Sequence, residues 1–339
     1  MPATIRLEIA LEDLPMKAPF RISGFTFWSS PVAVVTLRQG AQAGRGEASG
    51  VYYLKDEPSG MPAQIERHRQ AIESGISRED LRRLLPRGGA RNALDCALWD
   101  LEAKRAGQPV WKLAGLEPPR KLITTFTLGA EDPAFMANAA KGYPQARALK
   151  LKLSGDLDID VERVKAVRSA RPDPWIGVDA NQGYDLAKLE KLLPTLVDAR
   201  VQLLEQPFAR GREADLEHFD CDIPIAADES VQGVDDLESL PGRFDIVNIK
   251  LDKCGGLTEA LQMARVARRM GLGVMVGNMV GSSLSMAPGF VVGQYCDVVD
   301  LDGPTFLATD RSPGVVYEDG MIWCSESVWG GAGDARQSR

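Results

Sequence analysis

Three carboxylates follow short apolar segments in the middle of the chain and are the first candidates for chemistry. Asp179 ends WIGVD, Glu205 ends VQLLE and Asp228 ends IPIAAD, at separations of 26 and 23 residues. Neighbouring strands of a sheet lie about 5 Å apart, so three carboxylates at successive strand ends can share one cation. Ligands that are all oxygen favour Mg²⁺, with Mn²⁺ as a substitute, over Zn²⁺. Any one of them alone could instead cap a helix or form a loop ion pair.

Three lysines in the same region could move protons. Lys150 and Lys152 are at positions i and i+2 of ALKLKL and therefore share one face of a strand. A neighbouring ammonium disfavours the charged form, so we expect Lys150 to lower the pKa of Lys152 from about 10.4 to about 7–8, which suits a base. Lys250 ends DIVNIK four strands further round, where it would face Lys152 and allow 1,1-proton transfer. The alternatives are that Lys250 only neutralises the site, or that Lys253 takes its place.

A weakly acidic substrate proton would explain why a metal and lysines occur together. A proton next to a carboxylate is hard to remove, and a divalent cation on the carboxylate oxygens stabilises the enediolate that is left. Asp300 and Asp302 in VVDLDGP add two carboxylates on one face of a further strand. We expect them to hold a substrate ammonium group. The alternative is an Asp-Gly-Pro turn, which accounts for Asp302 better than for Asp300.

These residues lie in a repeat of short apolar segments that alternate with helical segments. Such a repeat predicts an α/β fold in which parallel strands form a TIM-type barrel and all strands end at one mouth. The eight predicted strands are 122–129, 148–155, 175–181, 201–207, 223–229, 245–251, 273–279 and 296–303.

The residues before this repeat predict a separate α+β unit. Strand patterns in 1–10 and 32–38 precede helical periodicity from Pro62 to about Gly115. Gly, Pro, Ser and polar residues in 17–30 and 44–60 predict two lid loops. We therefore expect an N-terminal capping domain over 1–118, a barrel over 119–305, and a tail over 306–339 that returns to the capping domain.

Composition limits the classes of partner. The chain has 339 residues and a net charge of −7, and it lacks long basic runs, which argues against a nucleic-acid binder. No apolar stretch has the length of a membrane span, and the start lacks a signal-peptide pattern. Five widely spaced cysteines without metal-binding spacing fit a reducing compartment, so a cytoplasmic location is predicted. With only two histidines, both in polar helical segments, lysine is the favoured acid and base.

The order of these motifs resembles the enolase superfamily and, within it, the muconate-lactonizing subgroup. The resemblance covers nearly the whole chain, including RNALDCALWDLEAK, and DLDGP with NIKLDKCGGLTEAL is most similar to the dipeptide epimerases. It implies a modified (β/α)₇β barrel under an α+β cap, with one Mg²⁺ per subunit. Asp179, Glu205 and Asp228 would be the metal ligands, Lys152 and Lys250 the acid and base with Lys150 beside them, and the Asp-x-Asp pair the site for the ammonium of a dipeptide. Members are often homo-oligomers, but the sequence carries no interface signal.

Further contacts are expected around this set. Thr127 and Phe25 are candidate substrate contacts, and Asn181 and Glu229, close to metal ligands in sequence, are candidates to support them. In relatives that act on Ala-Glu, the first lid loop carries an arginine that binds the glutamate side chain. Here Phe25 and Phe27 occupy the tip of that loop, Arg21 lies earlier, and the second loop contains Lys55, Asp56 and Glu57. We therefore expect the second residue of the substrate to be hydrophobic or cationic.

Other activities compete with dipeptide epimerisation. The same scaffold supports N-acylamino acid racemases, o-succinylbenzoate synthases and muconate cycloisomerases, whose substrates lack a free α-ammonium and so have no use for Asp300 and Asp302. A Schiff-base enzyme with Lys250 as nucleophile is a second alternative. A binding protein without catalysis is the third, although every catalytic position is filled.

Overall fold

A computed structural model of the protein describes residues 4–22 and 24–333, with the side chain of His218 excepted. The N-terminal part begins with an antiparallel sheet in the order β1-β2-β3, which is followed by five helices. The strands are β1 (Arg6–Ile22), β2 (Phe25–Gln39) and β3 (Gln42–Ala48). The helices are α1 (Met61–Glu66), α2 (Arg69–Glu73), α3 (Arg78–Leu84), α4 (Gly89–Ala106) and α5 (Val110–Leu113).

The first predicted lid loop is wrong in detail, because 17–30 is mostly strand. β1 and β2 run on as one long hairpin in register to Ile22 and Phe25, with an irregularity between Pro15 and Phe20. Residue 23, at the tip, lies outside the described residues. The second predicted loop begins too early, since β3 reaches Ala48. Residues 49–60 lie outside the strands and α-helices and contain two short 3-10 helices, Tyr52–Leu54 and Pro58–Gly60. The hairpin tip and lid loop 49–60 are therefore the two segments that cover the barrel.

Eight parallel strands in sequence order form the barrel, so the predicted fold class is confirmed. All of them are shorter than predicted, and Leu122–Ile123 belongs to another sheet. The strands are β4 (Leu122–Ile123), outside the barrel, and then β5 (Thr125–Leu128), β6 (Ala148–Lys152), β7 (Trp175–Asp179), β8 (Leu203–Glu205), β9 (Ile225–Ala227), β10 (Ile246–Ile249), β11 (Gly273–Val276) and β12 (Val298–Val299). The helices are α6 (Pro133–Lys141), α7 (Leu157–Ala170), α8 (Leu186–Asp198), α9 (Leu251–Cys254), α10 (Leu257–Arg269) and α11 (Ser283–Gly293).

Side chains link the first and last barrel strands. Thr125 Oγ1 donates to Asp300 Oδ1 at 2.6 Å, and the backbone N–H of Thr127 donates to Asp302 Oδ2 at 2.6 Å. The backbone N–H of Leu301 donates to Thr124 Oγ1 at 3.0 Å. These contacts fix the end of β12 against β5 and hold both aspartates at the mouth.

The strands of the tail form a sheet of their own with β4, separate from the N-terminal sheet. β13 (Val316–Glu318) and β14 (Met321–Trp323) form an antiparallel sheet with β4. The tail contacts the cap on both sides of these strands: the backbone N–H of Ala308 donates to Pro15 O at 2.8 Å, and Trp329 Nε1 donates to Arg45 O at 2.7 Å. We propose the limits 1–118, 119–305 and 306–339 for cap, barrel and tail, of which 334–339 lie outside the described residues. Among the described helices, none is both long and apolar enough to cross a membrane.

The cap approaches the barrel backbone closely at Gly255, and this close approach leads to a stability prediction. Gly255 has φ 79°, and a Cβ there would lie 2.3 Å from Arg91 Nε on α4. Gly242 has φ 82°, with no described heavy atom within 4 Å of such a Cβ. Both alanine variants would suffer similar backbone strain, but only Gly255→Ala would also displace the buried Arg91. We expect urea unfolding to show a free energy about 1–3 kcal/mol lower for Gly255→Ala than for Gly242→Ala. Equal losses would contradict this close approach.

Candidate active site

The three carboxylates predicted to bind metal meet at the C-terminal mouth of the barrel. Asp179 and Glu205 are the last residues of β7 and β8, and Asp228 directly follows β9. Their nearest oxygen atoms lie within 4.8 Å of one another, and all three side chains are buried. The sequence places them together because parallel strands that are neighbours in the barrel end at the same level.

The predicted lysines contact these carboxylates from opposite sides. Lys152 Nζ lies 2.6 Å from Asp179 Oδ2, and Lys250 Nζ lies 2.6 Å from Asp228 Oδ2. Lys150 Nζ lies 2.7 Å from Glu205 Oε2 and 3.2 Å from Asp179 Oδ2. All three lysines line a cavity of about 360 Å³ under the lids. The pairs Lys152–Asp179 and Lys250–Asp228 therefore flank the carboxylate cluster.

Lys253 reaches the same carboxylate as Lys250 but has different surroundings. Its Nζ donates to Asp228 Oδ1 and Asp228 O at 2.6 Å each, and to Asn248 O at 3.0 Å. With three acceptors engaged, this ammonium is a support for Asp228. Lys250 lines the cavity, whereas Lys253 is not among the described lining residues. The geometry therefore favours Lys250 as the group that can reach a substrate.

The pKa values show how strongly these charges interact. Burial raises the pKa of Asp179, but the ammonium groups of Lys152 and Lys150 outweigh it and bring the pKa to about 2. Burial and the charge of Asp179 raise the pKa of Glu205 to about 7, against the opposing effect of Lys150. Burial by itself would lower the pKa of Lys150. The carboxylates of Asp300 and Glu205 have the larger effect and hold this pKa well above its usual value. Our expectation that Lys150 lowers the pKa of Lys152 stays a prediction.

The donor set fits a divalent cation. Glu205 Oε2 is buried and accepts no hydrogen bond from any described residue, although the Lys150 ammonium is at ion-pair distance. Six carboxyl groups face four ammonium groups here, an excess of two negative charges when all are ionised, and burying such an excess without a counter-charge is costly. The carboxyl groups are those of Asp179, Glu205, Asp228, Glu229, Asp300 and Asp302, and the ammonium groups those of Lys150, Lys152, Lys250 and Lys253.

Asp300 and Asp302 line the same cavity together with Thr127. Asp300 Oδ2 accepts a hydrogen bond from Lys150 Nζ at 2.9 Å, and its other oxygen is bound by Thr125. Asp302 contacts β5 through the Thr127 backbone. Burial and the neighbouring charge of Asp300 raise the pKa of Asp302 to about 7. A cationic group between the two carboxylates would relieve this repulsion.

The two predicted supporting residues also reach the cavity wall. The backbone N–H of Asn181 donates to Asp179 Oδ1 at 3.0 Å, which orients that carboxylate. Glu229 is buried, and burial with the charge of Asp228 raises its pKa to about 8.

Two further supports were not predicted. Asn248 Nδ2 donates to Glu205 Oε1 at 2.8 Å, and Gln206 Oε1 accepts from the Asp228 N–H at 3.0 Å. Asn248 is two residues before Lys250 on one strand, so the period of two could have identified it.

Aromatic side chains of the two lids meet above the cavity. Tyr52 packs edge-on against Phe25, Phe27 and Tyr53, with ring centroids 4.6, 5.4 and 5.2 Å apart. Phe27, Tyr52 and Tyr53 line the cavity. Phe25 is not among the described residues that line it and is 48% exposed, so its role as a substrate contact stays a prediction. Phe27, two residues deeper in the hairpin and on the same face, does line the cavity.

One backbone carbonyl of the barrel binds both lids. Ser30 Oγ and Ser49 Oγ both donate to Val280 O, at 2.6 and 2.7 Å. Ser30 belongs to the hairpin and Ser49 to lid loop 49–60, so one carbonyl of the loop after β11 holds both. The cavity therefore has a polar floor built by strand ends and an apolar roof built by the cap.

A capped barrel with metal-ligating carboxylates and lysines at its strand ends defines a member of the enolase superfamily. Residues 5–115 match the family described as "Mandelate racemase / muconate lactonizing enzyme, N-terminal domain", and residues 134–327 match "Enolase C-terminal domain-like". The chain therefore belongs to the mandelate racemase and muconate lactonizing enzyme family of that superfamily.

Within the family, the chain is similar to dipeptide epimerases. It is 39% identical to the L-Ala-D/L-Glu epimerase of Escherichia coli over 92% of this chain and 97% of that protein. An enolase family member from Agrobacterium tumefaciens, solved with sodium and L-Ala-L-Glu, has a TM-score of 0.92 and 37% identity over 96% of this chain and 100% of that one. A dipeptide epimerase from Enterococcus faecalis, solved with Mg and L-Leu-L-Tyr, has a TM-score of 0.90 and 27% identity over 98% and 99%.

Proposed function

We propose that the chain is a Mg²⁺-dependent dipeptide epimerase that inverts the α-carbon of the C-terminal residue of a dipeptide. The observation that carries the proposal is one cavity that holds a carboxylate cluster, a lysine on each side of it, and a separate pair of aspartates. Asp179, Glu205 and Asp228 would hold the metal, and Mn²⁺ can replace Mg²⁺ because the ligands are all oxygen. When bound, the cation supplies positive charge that stabilises the substrate carboxylate as the α-proton leaves.

The proton would be moved by the lysines. The neutral amine on one side of the α-carbon takes the proton as the C–H bond breaks, and the ammonium on the other side gives its proton to the opposite face. Lys152 and Lys250 are the pair that flanks the carboxylate cluster. Lys150 contacts Glu205, Asp179 and Asp300, so it neutralises charge between the metal ligands and the aspartate pair. Proton balance is complete without a further reactant.

The aspartate pair favours a dipeptide over an N-acylated amino acid. The α-ammonium of a dipeptide is a cation that Asp300 and Asp302 can bind, with Thr127 beside them on β5. An N-acylated amino acid, a succinylbenzoate precursor or a muconate offers no such cation. Two buried carboxylates facing a neutral group would remain uncompensated, which is costly.

The roof of the cavity indicates a hydrophobic side chain on the inverted residue. Phe20, Ile22 and Phe27 of the hairpin line it with Tyr52. Arg21, the arginine near the tip, already pairs with Glu131 at 2.7 Å and does not line the cavity, so it is not placed to bind an acidic substrate side chain. Among the described lining residues, the cationic ones are Lys150, Lys152 and Lys250, all paired with carboxylates. An acidic substrate side chain would therefore lack a partner, whereas an apolar one would bury surface against the aromatic rings.

A dipeptide library incubated in D₂O with Mg²⁺ tests both parts of the proposal. We expect a one-dalton mass gain at the α-carbon, largest in kcat/KM for dipeptides whose second residue is hydrophobic. EDTA should stop the exchange, and Mg²⁺ or Mn²⁺ should restore it. Ala-Glu as the best substrate would contradict the hydrophobic assignment. A preference for lysine or arginine at the second position would indicate that Asp56 and Glu57, which also line the cavity, bind the substrate side chain instead. Absence of exchange with every dipeptide would overturn the function.

We also propose a cytoplasmic location, which the five free cysteine thiols support.

A further inference from the structure

The turn that carries Lys250 is held by the cap. Residues 250–256, called here the Lys250 turn, include α9, and Lys250 is the residue that precedes this helix. The backbone N–H groups of Lys253 and Cys254 donate to Lys250 O at 3.0 and 3.1 Å. Lys250 is therefore part of a closed turn, and any group that fixes the turn also fixes the origin of the Lys250 side chain.

Asp252 is a buried carboxylate inside this turn. Its Oδ1 accepts a hydrogen bond from the backbone N–H of Gly50 at 2.9 Å. The side chain of Asn92 and the backbone N–H of Ser49 also lie beside this carboxyl group and lower its pKa by favouring the charged form. Ser49 and Gly50 begin lid loop 49–60, and Asn92 lies on α4. One carboxylate thus joins three parts of the molecule: the Lys250 turn, the second lid and the main helix of the cap.

The rest of α4 holds the same segment. Arg91 donates to the carbonyl oxygens of Cys254 and Gly255 and pairs with Glu259. Asp95 accepts from Thr258 Oγ1 at 2.6 Å and from Thr258 N at 2.9 Å, and Thr258 is two residues beyond the end of the Lys250 turn. The opposite lysine has a different origin, since Lys152 is on β6 within the sheet. The cap can therefore move Lys250 without moving Lys152.

We propose that Asp252 is a positioning residue that fixes Lys250 on one face of the substrate and couples it to closure of lid loop 49–60. The inference rests on the proposed function, because it assigns Lys250 a proton-transfer role. Tyr52 and Tyr53 follow Gly50 directly and line the cavity, so a closed lid and a correctly placed Lys250 require the same hydrogen bonds. Loss of the carboxylate should disturb one direction of proton transfer more than the other.

The Asp252→Asn variant tests this with deuterium exchange measured separately from each stereoisomer of the best dipeptide. Lys250→Ala serves as calibration, since it identifies the stereoisomer whose α-proton faces Lys250. We expect Asp252→Asn to slow exchange from that stereoisomer by about tenfold or more, because small misplacements of a reacting group are costly. Exchange from the other stereoisomer should change by less than about twofold on the same reasoning.

Asp100→Asn is the matched control, because Asp100 is another buried carboxylate of α4 and the backbone N–H groups that donate to it, those of Arg45 and Gly330, lie outside the Lys250 turn. It should lower the thermal midpoint and affect both stereoisomers equally. If Asp252→Asn does not fold, Asn92→Ala removes a side chain that favours the charged carboxylate and should give the same one-sided effect at smaller size. Equal slowing from both stereoisomers, or one-sided slowing in Asp100→Asn, would overturn the proposal. So would a crystal structure of Asp252→Asn in which Lys250 and Gly50 keep their places, a result that does not depend on activity. Wild-type protein without exchange would instead overturn the proposed function.

Discussion

Lys152→Ala and Lys250→Ala should each lose dipeptide epimerisation by about a thousandfold or more, since general acid–base groups contribute about 10²–10⁴-fold. Inversion needs one group to take a proton and another to return it on the opposite face. Each lysine flanks the carboxylate cluster from its own side, and neither stands where the other could replace it. The measurement is the rate of inversion by polarimetry or chiral chromatography, with Mg²⁺ present.

Each lysine variant also provides the control for the other. In D₂O, Lys152→Ala should retain α-deuterium exchange from one stereoisomer, and Lys250→Ala should retain it from the other, because the remaining lysine still serves its own face. Global damage would remove exchange from both. A Lys152→Ala variant that exchanges both stereoisomers, or a Lys250→Ala variant that inverts at the wild-type rate, would contradict the two-sided assignment.

Asp302→Asn should lower kcat/KM for dipeptides by about a hundredfold, since removing one partner of a buried charge pair costs about 2–5 kcal/mol. Asp302 is a better test than Asp300, which also binds Lys150 and Thr125 and so affects the metal side of the cavity. Asp302 contacts β5 mainly through the Thr127 backbone, and asparagine keeps an oxygen for that contact. With the N-acetyl derivative of the dipeptide, which has no α-ammonium, we expect the wild type and Asp302→Asn to show similarly low kcat/KM.

The pH profile gives the same residue a second readout. Burial and Asp300 raise the pKa of Asp302 to about 7, so its carboxylate charge is present above that pH and is lost as the pH falls through it. The wild-type kcat/KM should therefore decline below pH 7, and Asp302→Asn should lack that contribution. An unchanged kcat/KM in the variant, at any pH, would show that the ammonium binds elsewhere.

Apolar periodicity determined the barrel and the carboxylates at its mouth. Each buried parallel strand needs its own run of apolar residues, and a polar residue that follows such a run must lie at the strand end. This is why Asp179, Glu205 and Asp228 could be placed together, and why Lys150 and Lys152 could be placed on one face. The lengths of the strands were overestimated, because the predicted ranges ran past the strand ends into polar residues such as Asn181 and Glu229.

Pairing between distant segments could not be read in the same way. The hairpin over 17–30 contains Gly, Pro and Ser and has exposed aromatic residues such as Trp28, so its local sequence resembles a loop. It is nevertheless a strand hairpin, because β1 and β2 pair along it and the pairing resumes at Phe20 after an irregularity. Likewise β14 pairs with β4 rather than with the N-terminal sheet, a choice between two exposed edges that no local pattern distinguishes.

The sequence by itself determined the barrel, the likeness to dipeptide epimerases and which carboxylates and lysines share a mouth, because strand period and strand order fix those positions. Only the tertiary structure decided that Phe27 rather than Phe25 lines the cavity, that Lys253 supports Asp228 while Lys250 lines the cavity, and that Asp252 joins the lid to the Lys250 turn. The physical reason is that these roles depend on contacts between cap and barrel, where residues about 200 positions apart, such as Gly50 and Asp252, meet at hydrogen-bond distance.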